Sequence, residues 1–224
     1  HTSFSELNPD SEDFRFQGFF SVGTLSYVWG KLYRKSFLDK NNIVFSDFEY
    51  AEDKLFNIQC YICGAKYAFI KEKGYIYRKN DDSISFQYHK NSSECWLGIA
   101  NTVNQWLKER KENPDEYKDL IYYTIFFATF GKMEYVEHKK SLRAVKKNLK
   151  IYGQDPLGEE SFKELFKNKQ FSQLKQPMWK FMIKCFSLGM KFQWYLLLAI
   201  GIKILIDFRV DERLSDTGLR EEQQ

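Results

Sequence analysis

The chain has 224 residues, 43% hydrophobic and 29% charged, a balance that excludes an intrinsically disordered chain and allows one medium domain or two small ones. Lys and Arg outnumber Asp and Glu by 34 to 30, a net charge of +4, too small an excess to argue for nucleic-acid binding without a motif. The aromatic share of 18% suits thick helical packing, and equally sugar-binding or membrane-facing surfaces.

The opening segment "HTSFSELNPDSED" is polar and has neither strand nor helix period. It reads as a loop cut from something longer, without the features of a signal peptide. "FFSVGTLSYVW" is aromatic, β-branched and glycine-punctuated, which predicts strand and loop. "KSFLDKNN" predicts a short helix that ends in asparagines, and "IVF" a short extended piece. From Glu52 the positions Leu55, Phe56, Ile58 and Ile62 carry a helical period that Gly64 closes. "KYAFIKE" and "GYIYRKN", separated by Lys73-Gly74, alternate and predict two strands.

After Ser85 the character turns helical. Asn91 with Glu94 resembles a capping box that opens a helix to about Lys111. Asn113-Pro114-Asp115-Glu116 places a cap, a proline and two acids at a second helix start. That helix is expected to run through "LIYYTIFFATF" toward Lys150, buried because its middle is apolar nearly all round. Gly153 to Gly158 makes a break, a short helix follows, and Pro177 opens a last long helix ending near Arg209. The charged tail from Asp211 reads as frayed.

The chain therefore divides into an α/β part, residues 1–86, and a helical part, residues 87–224. The α/β part has no glycine-rich phosphate loop of either common pattern. Of the four cysteines, Cys60 and Cys63 have CxxC spacing but fall inside the helical pattern, with Cys95 and Cys185 elsewhere. A zinc site needs a second pair and a redox site needs an exposed helix start, so core cysteines in a reducing, cytoplasmic setting are the reading. His89 and His138 lack companions at metal-ligand spacing.

Glu52 and Asp53 stand side by side at the predicted first turn of a helix. Carboxylates there interact favourably with the helix dipole, and spacing alone favours that role over chemistry. The segments around them add a second possibility. Trp29-Gly30-Lys31-Leu32-Tyr33-Arg34, then Phe37-Leu38, Asn42-Ile43-Val44-Phe45, Glu52-Asp53 with Phe56, Gly74-Tyr75 with Tyr77-Arg78, and Ser83-Ile84-Ser85 follow one another in order. This set resembles the second half of the catalytic domain of the family 2 glycosyltransferases, over about residues 20–86.

The resemblance implies a partial GT-A domain of Rossmann-like α/β fold followed by a helical extension. It implies an inverting transfer from a nucleotide-diphosphate sugar to an acceptor hydroxyl, in bacterial cell-surface polysaccharide synthesis. Asp53 would be the catalytic base and Glu52 its neighbour. One base suffices for a single in-line displacement, because a diphosphate leaving group wants cations rather than a proton donor. Trp29 would stack on a sugar face or simply fill the core. Lys31 would approach the diphosphate or the acceptor, or be a surface lysine. Arg78 and Ser83 would sit in a loop near the site, Arg78 offering its donor fork to diphosphate oxygens or serving as a sheet-edge charge.

The family's DxD motif, which binds a divalent metal (Mg2+ or Mn2+) and the sugar nucleotide, has no counterpart here. Asp10-Ser11-Glu12-Asp13 follows no apolar strand, and Asp47-Phe48-Glu49 lies on the wrong side; both read as loop acids. The metal is therefore expected of the intact enzyme and not of this chain.

The last helix, residues 177–209, pairs an apolar face with a stripe of Lys180, Lys184, Ser187 and Lys191. That pattern fits an interfacial helix on an anionic leaflet, or a core-packing helix. Peripheral membrane contact and a saccharide or lipid-linked acceptor are the expected partners, with no nucleic acid. The rival reading is a non-catalytic helical module that binds a membrane or a partner.

Overall fold

The computed structural model of the chain describes residues 7–11, 14–19, 24–70, 72, 74–76, 91–110, 113–131, 141–167 and 177–207. Among these the regular elements are all helical. In chain order they are α1 (Phe14–Phe19), a 3-10 turn (Thr24–Ser26), α2 (Lys35–Asn41), α3 (Glu52–Ile62), α4 (Ser92–Glu109), α5 (Pro114–Gly131), α6 (Leu142–Gln154), α7 (Pro156–Lys167), α8 (Pro177–Lys191) and α9 (Tyr195–Asp207).

The α/β expectation for residues 1–86 is overturned: no strand forms among the described residues. The alternation that suggested one is real. Tyr67 and Phe69 are half-buried while Lys66, Ala68 and Ile70 are exposed. Yet a strand exists only through ladder bonds to a neighbour, and residues 65–70 make none with the described residues. Instead the rings of Tyr67 and Phe69 pack on Phe14, with centroids 5.2 Å and 6.2 Å away. "FFSVGTLSYVW" likewise supplies the end of α1 and the 3-10 turn. Phe19 and Leu25 are buried there, Phe19 edge-on to Tyr61 at 5.3 Å. A pleated Rossmann-like half-domain is thus replaced by short helices and irregular chain.

Left-handed stops punctuate the helices. Asn42 (φ 53°) ends α2, with Ile43 N–H on Leu38 O; Gly64 (φ 79°) ends α3, with Ala65 N–H on Cys60 O. Both follow the Schellman pattern, in which the residue past the stop bonds back over the last turn. The asparagines and Gly64 announced these two in the sequence.

Two expected long helices are each broken. The helix from Asn113 toward Lys150 is described as far as Gly131, and a separate helix, α6, starts behind Ser141, whose backbone is extended and whose Oγ accepts the Ala144 N–H at 3.3 Å. The C-terminal helix is split by a third Schellman stop at Gln193 (φ 57°), where Trp194 N–H bonds Gly189 O at 2.8 Å and Gln193 N–H bonds Met190 O at 3.1 Å. No glycine marks this stop, so apolar periodicity ran straight through it. Ser187 of the expected lysine stripe is fully buried, so that stripe is not one continuous exposed face.

The helices α4 to α9 pack mutually, and α3 leans on α4 and on the 3-10 turn. Their shared core includes Ile99, Leu107, Ile125, Phe126, Leu149, Phe162 and Leu165. Asp155 starts α7 sharply, its Oδ1 accepting the N–H groups of Leu157 and Gly158 at 2.9 Å and 3.0 Å, with Pro156 at the first helical position. Gly158 lies against the Tyr152 carbonyl so closely that a β-carbon would overlap it. A polar tie joins α4 to α6: buried Ser93 Oγ donates to Asn148 Oδ1. Arg15 anchors α1 on α5, donating to Glu116 O at 2.6 Å and pairing with Asp119 at 3.2 Å. Burial raises the Asp119 pKa, and Arg15 opposes the rise.

Candidate functional site

Glu52 and Asp53 both lie in the first turn of α3, as acids at a positive helix end should. Neither is the cap. That position is Ala51, held at φ 62° with no side-chain cap. Asp53 reaches instead across to the irregular segment before α2, where its Oδ2 accepts the Val28 N–H at 3.2 Å. Its Oδ1 takes no hydrogen bond from the described residues.

One helical turn further on, Asn57 continues this fastening, since residues four apart share a helix face. Its Nδ2 donates to Tyr27 O at 3.2 Å and to Asp53 O at 2.9 Å, while its Oδ1 accepts from Tyr33 Oη at 2.8 Å. Asn57 is fully buried. The Tyr33 hydroxyl pKa is raised, first by burial. Residues 27–33 are therefore laid along α3 by two side chains of that helix.

The segment so held carries the other candidates. Lys31 Nζ donates to Tyr27 O, and burial pulls its pKa down to about 8 against the opposing pull of the Asp53 charge. The Trp29 ring lies between Tyr27, centroid 5.0 Å away and tilted 25°, and Tyr75, 5.7 Å away and tilted 18°. Gly30 at φ 66° makes the turn that brings Trp29 and Lys31 to the same place. Half-buried Trp29, exposed Tyr75 and Asp53 thus border one short stretch of surface.

Glu52 takes a different direction. With Glu49 and Glu94 it lies around Cys95 on the α4 side, where burial and then these acids raise the thiol pKa. The neighbouring acids therefore diverge, and only Asp53 joins the Trp29–Lys31 segment. Arg78 and Ser83 lie outside the described residues, as do His89 and His138. Tyr27, Asn57 and Tyr75 were not singled out by the sequence. The i, i+4 spacing of Asp53 and Asn57 on one helix was the one signal that could have paired them.

Two carboxylates that diverge do not fit a resident metal ion. Among the described residues no three His, Cys, Asp or Glu side chains come together as a cation site requires. Cys60 is buried at the end of α3, its thiol pushed up to about 12 chiefly by burial, which suits a core cysteine rather than a nucleophile. Asp47 and Glu49 lie in the loop between α2 and α3.

No family model and no solved structure matches the chain. Two curated proteins of Bacillus subtilis (strain 168) are similar to it. EpsH is 24% identical over 140 residues, which covers 60% of this chain and 41% of EpsH. EpsJ is 35% identical over 60 residues, 26% of this chain and 17% of EpsJ. The chain spans well under half the length of either. Both carry the word glycosyltransferase in their names, EpsJ as an uncharacterized one, and the chain is similar to parts of these bacterial proteins.

Proposed function

We propose that the chain is the acceptor-side part of an inverting, family 2 type glycosyltransferase that moves a sugar from a nucleotide-diphosphate donor to an acceptor hydroxyl. The observation that carries this is the placement of Asp53. It is fixed at a helix start by the Val28 N–H, with Oδ1 open to a proton and with Trp29 and Lys31 beside it. The similarity to two proteins named glycosyltransferases supports the reaction class.

On this reading the acceptor oxygen attacks the anomeric carbon as the bond to the diphosphate oxygen breaks. The acceptor proton passes to Asp53, and the electron pair leaves with the diphosphate. Trp29 stacks with Tyr27 and the exposed Tyr75 into one aromatic row, whose outer face at Tyr75 offers a flat apolar surface to the C–H side of a sugar. Lys31 brings a cation next to Asp53. Glu52 shapes the field from the α4 side without touching the acceptor. Arg78 and Ser83 remain candidates for the donor side. A divalent cation serving the diphosphate falls to groups other than Glu52 and Asp53, and no step is assigned to one.

The acceptor is a saccharide or a lipid-linked sugar of a bacterial surface polysaccharide, reached from the cytoplasmic side. The test is Asp53→Asn in the full-length enzyme. Transfer should fall by at least about 10²-fold, with donor binding nearly unchanged. Full turnover by that variant would remove the base.

A further inference from the structure

The break at Gln193 changes what the C-terminal region offers to its surroundings. A single long helix becomes two helices joined at an elbow, α8 before the stop and α9 after it. Helix α9 is apolar except for Lys203 and its last residue, Asp207. Tyr195, Ala199 and Ile202 are buried against neighbouring helices, of which α6 and α8 are the contacts. Leu196, Leu197, Ile200 and Ile204 remain 40–64% exposed. Their steps of three and four residues put them on one outward stripe.

The elbow extends this stripe. Phe192 and Trp194 are about half exposed and stack at 5.4 Å, and α8 adds Phe181 at 68% exposure. Isolated exposed leucines need no explanation; a continuous apolar stripe with two aromatics at its end does.

The charge around it is mostly basic, with Glu159 near Tyr195 and Asp207 at the end of α9 as the nearby acids on these helices. Residues 177–206 contain Lys180, Lys184, Lys191 and Lys203 and no Asp or Glu, and α6 contains Arg143, Lys146, Lys147 and Lys150 and no acid. The two features meet physically. Lys146, Lys150 and Gln154 of α6 line an open hollow of about 330 Å³ together with Trp194, Leu196 and Leu197. Cationic groups thus border the apolar stripe where the elbow turns.

We propose that this helix pair docks on an anionic phospholipid bilayer. Trp194 and the Leu197–Ile204 stripe enter the boundary between headgroups and acyl chains, and the lysines of α6 and α8 meet the lipid phosphates. The occupant follows from the chemistry. The stripe offers a peptide a single side-chain donor, the Trp194 indole N–H, and two copies face to face would set lysines against lysines. No helix among the described residues is long and apolar enough to cross a membrane, and the proposal lays the pair along the surface. The proposal uses none of the residues of the transferase reading and stands apart from it.

The experiment is flotation of the full chain with vesicles of phosphatidylcholine alone and of phosphatidylcholine with phosphatidylglycerol, at low and high salt. The chain should partition onto the anionic vesicles at least about tenfold better than onto neutral ones, and less at high salt. The paired substitution of exposed residues Leu197→Glu and Ile200→Glu should leave the helical circular dichroism unchanged and cut vesicle binding by about tenfold or more. Lys146→Gln with Lys150→Gln should remove most of the preference for anionic lipid. Failure to bind anionic vesicles overturns the proposal. So does vesicle binding untouched by the Leu197/Ile200 pair, or the finding that this pair dissolves a dimer and nothing else.

Discussion

Asp53 and Asn57, one turn apart on α3, fasten the two halves of a single peptide unit: Asp53 accepts the Val28 N–H and Asn57 donates to the Tyr27 carbonyl. This clamp holds residues 27–33 against α3, and with them Trp29 and Lys31. The acid assigned to chemistry is therefore also a structural acceptor, and substitutions can separate the two roles.

Asp53→Asn keeps an oxygen for the Val28 N–H, so its stability should stay within about 1 kcal/mol of wild type, whereas Asp53→Ala should cost about 1–3 kcal/mol by orphaning that donor. Urea midpoints of the two variants decide this. Equal losses in both would mean that the carboxylate charge, not the hydrogen bond, holds the segment.

Asn57→Leu removes the acceptor of the Tyr33 hydroxyl and the donor to Tyr27 at a fully buried position. A loss of about 2–4 kcal/mol is expected from two broken partnerships inside the protein. Denaturation measures the loss. The Lys31 pKa, followed by nitrogen chemical shift, should rise as residues 27–33 loosen and hydrate.

Trp29→Ala removes two ring contacts, each worth about 0.5–1.5 kcal/mol beyond its area, while Trp29→Phe keeps a face between Tyr27 and Tyr75. Stability should order as wild type, Phe, Ala. On the transferase reading the Ala variant also raises KM for the acceptor more than it lowers kcat, and a change in kcat alone would argue against sugar stacking.

Lys54 supplies a pH signature. It is fully buried, its ammonium donates to Phe19 O at 3.0 Å and lies 5.6 Å from the Trp96 ring, and burial lowers its pKa from 10.5 to about 7. In the window between these values the unfolded chain binds the extra proton, so stability rises with pH, by at most about 1.4 kcal/mol per pH unit. From about pH 9 upward Cys60 acts in the opposite sense, because its folded pKa lies above the unfolded one. Stability of wild type relative to Lys54→Met should therefore increase from pH 7 to 9 in calorimetry or urea titration. A flat difference would mean that the buried amine keeps its ordinary proton affinity.

Gly158→Ala forces a β-carbon into the Tyr152 carbonyl at the α6–α7 junction. Backbone cannot step aside as a side chain can, so about 1–3 kcal/mol of destabilisation is expected, read as a fall in thermal midpoint.

The starts of α4, α5 and α8 were legible because their signals are local. Asn91 with Glu94, Pro114 with two acids, and Pro177 all act within one or two turns. The α/β expectation failed for the opposite reason. Alternation in "KYAFIKE" describes which side chains can face inward, but not whether another strand stands alongside to complete the ladder. The Gln193 stop escaped notice because a non-glycine residue takes the left-handed conformation there, at φ 57°, where the usual glycine signal is absent.

By itself the sequence determined the starts of α3, α4, α5 and α8, the asparagine and glycine stops of α2 and α3, and the place of Glu52 and Asp53 in a first turn, since each depends on neighbours within a few residues. Tertiary structure alone decided that the two acids diverge, that Asp53 meets Val28 across 25 residues of chain, and that α9 turns an apolar stripe outward. Those outcomes depend on which distant surfaces come together, and periodicity, which reports only the face of a single element, carries no information about its partner.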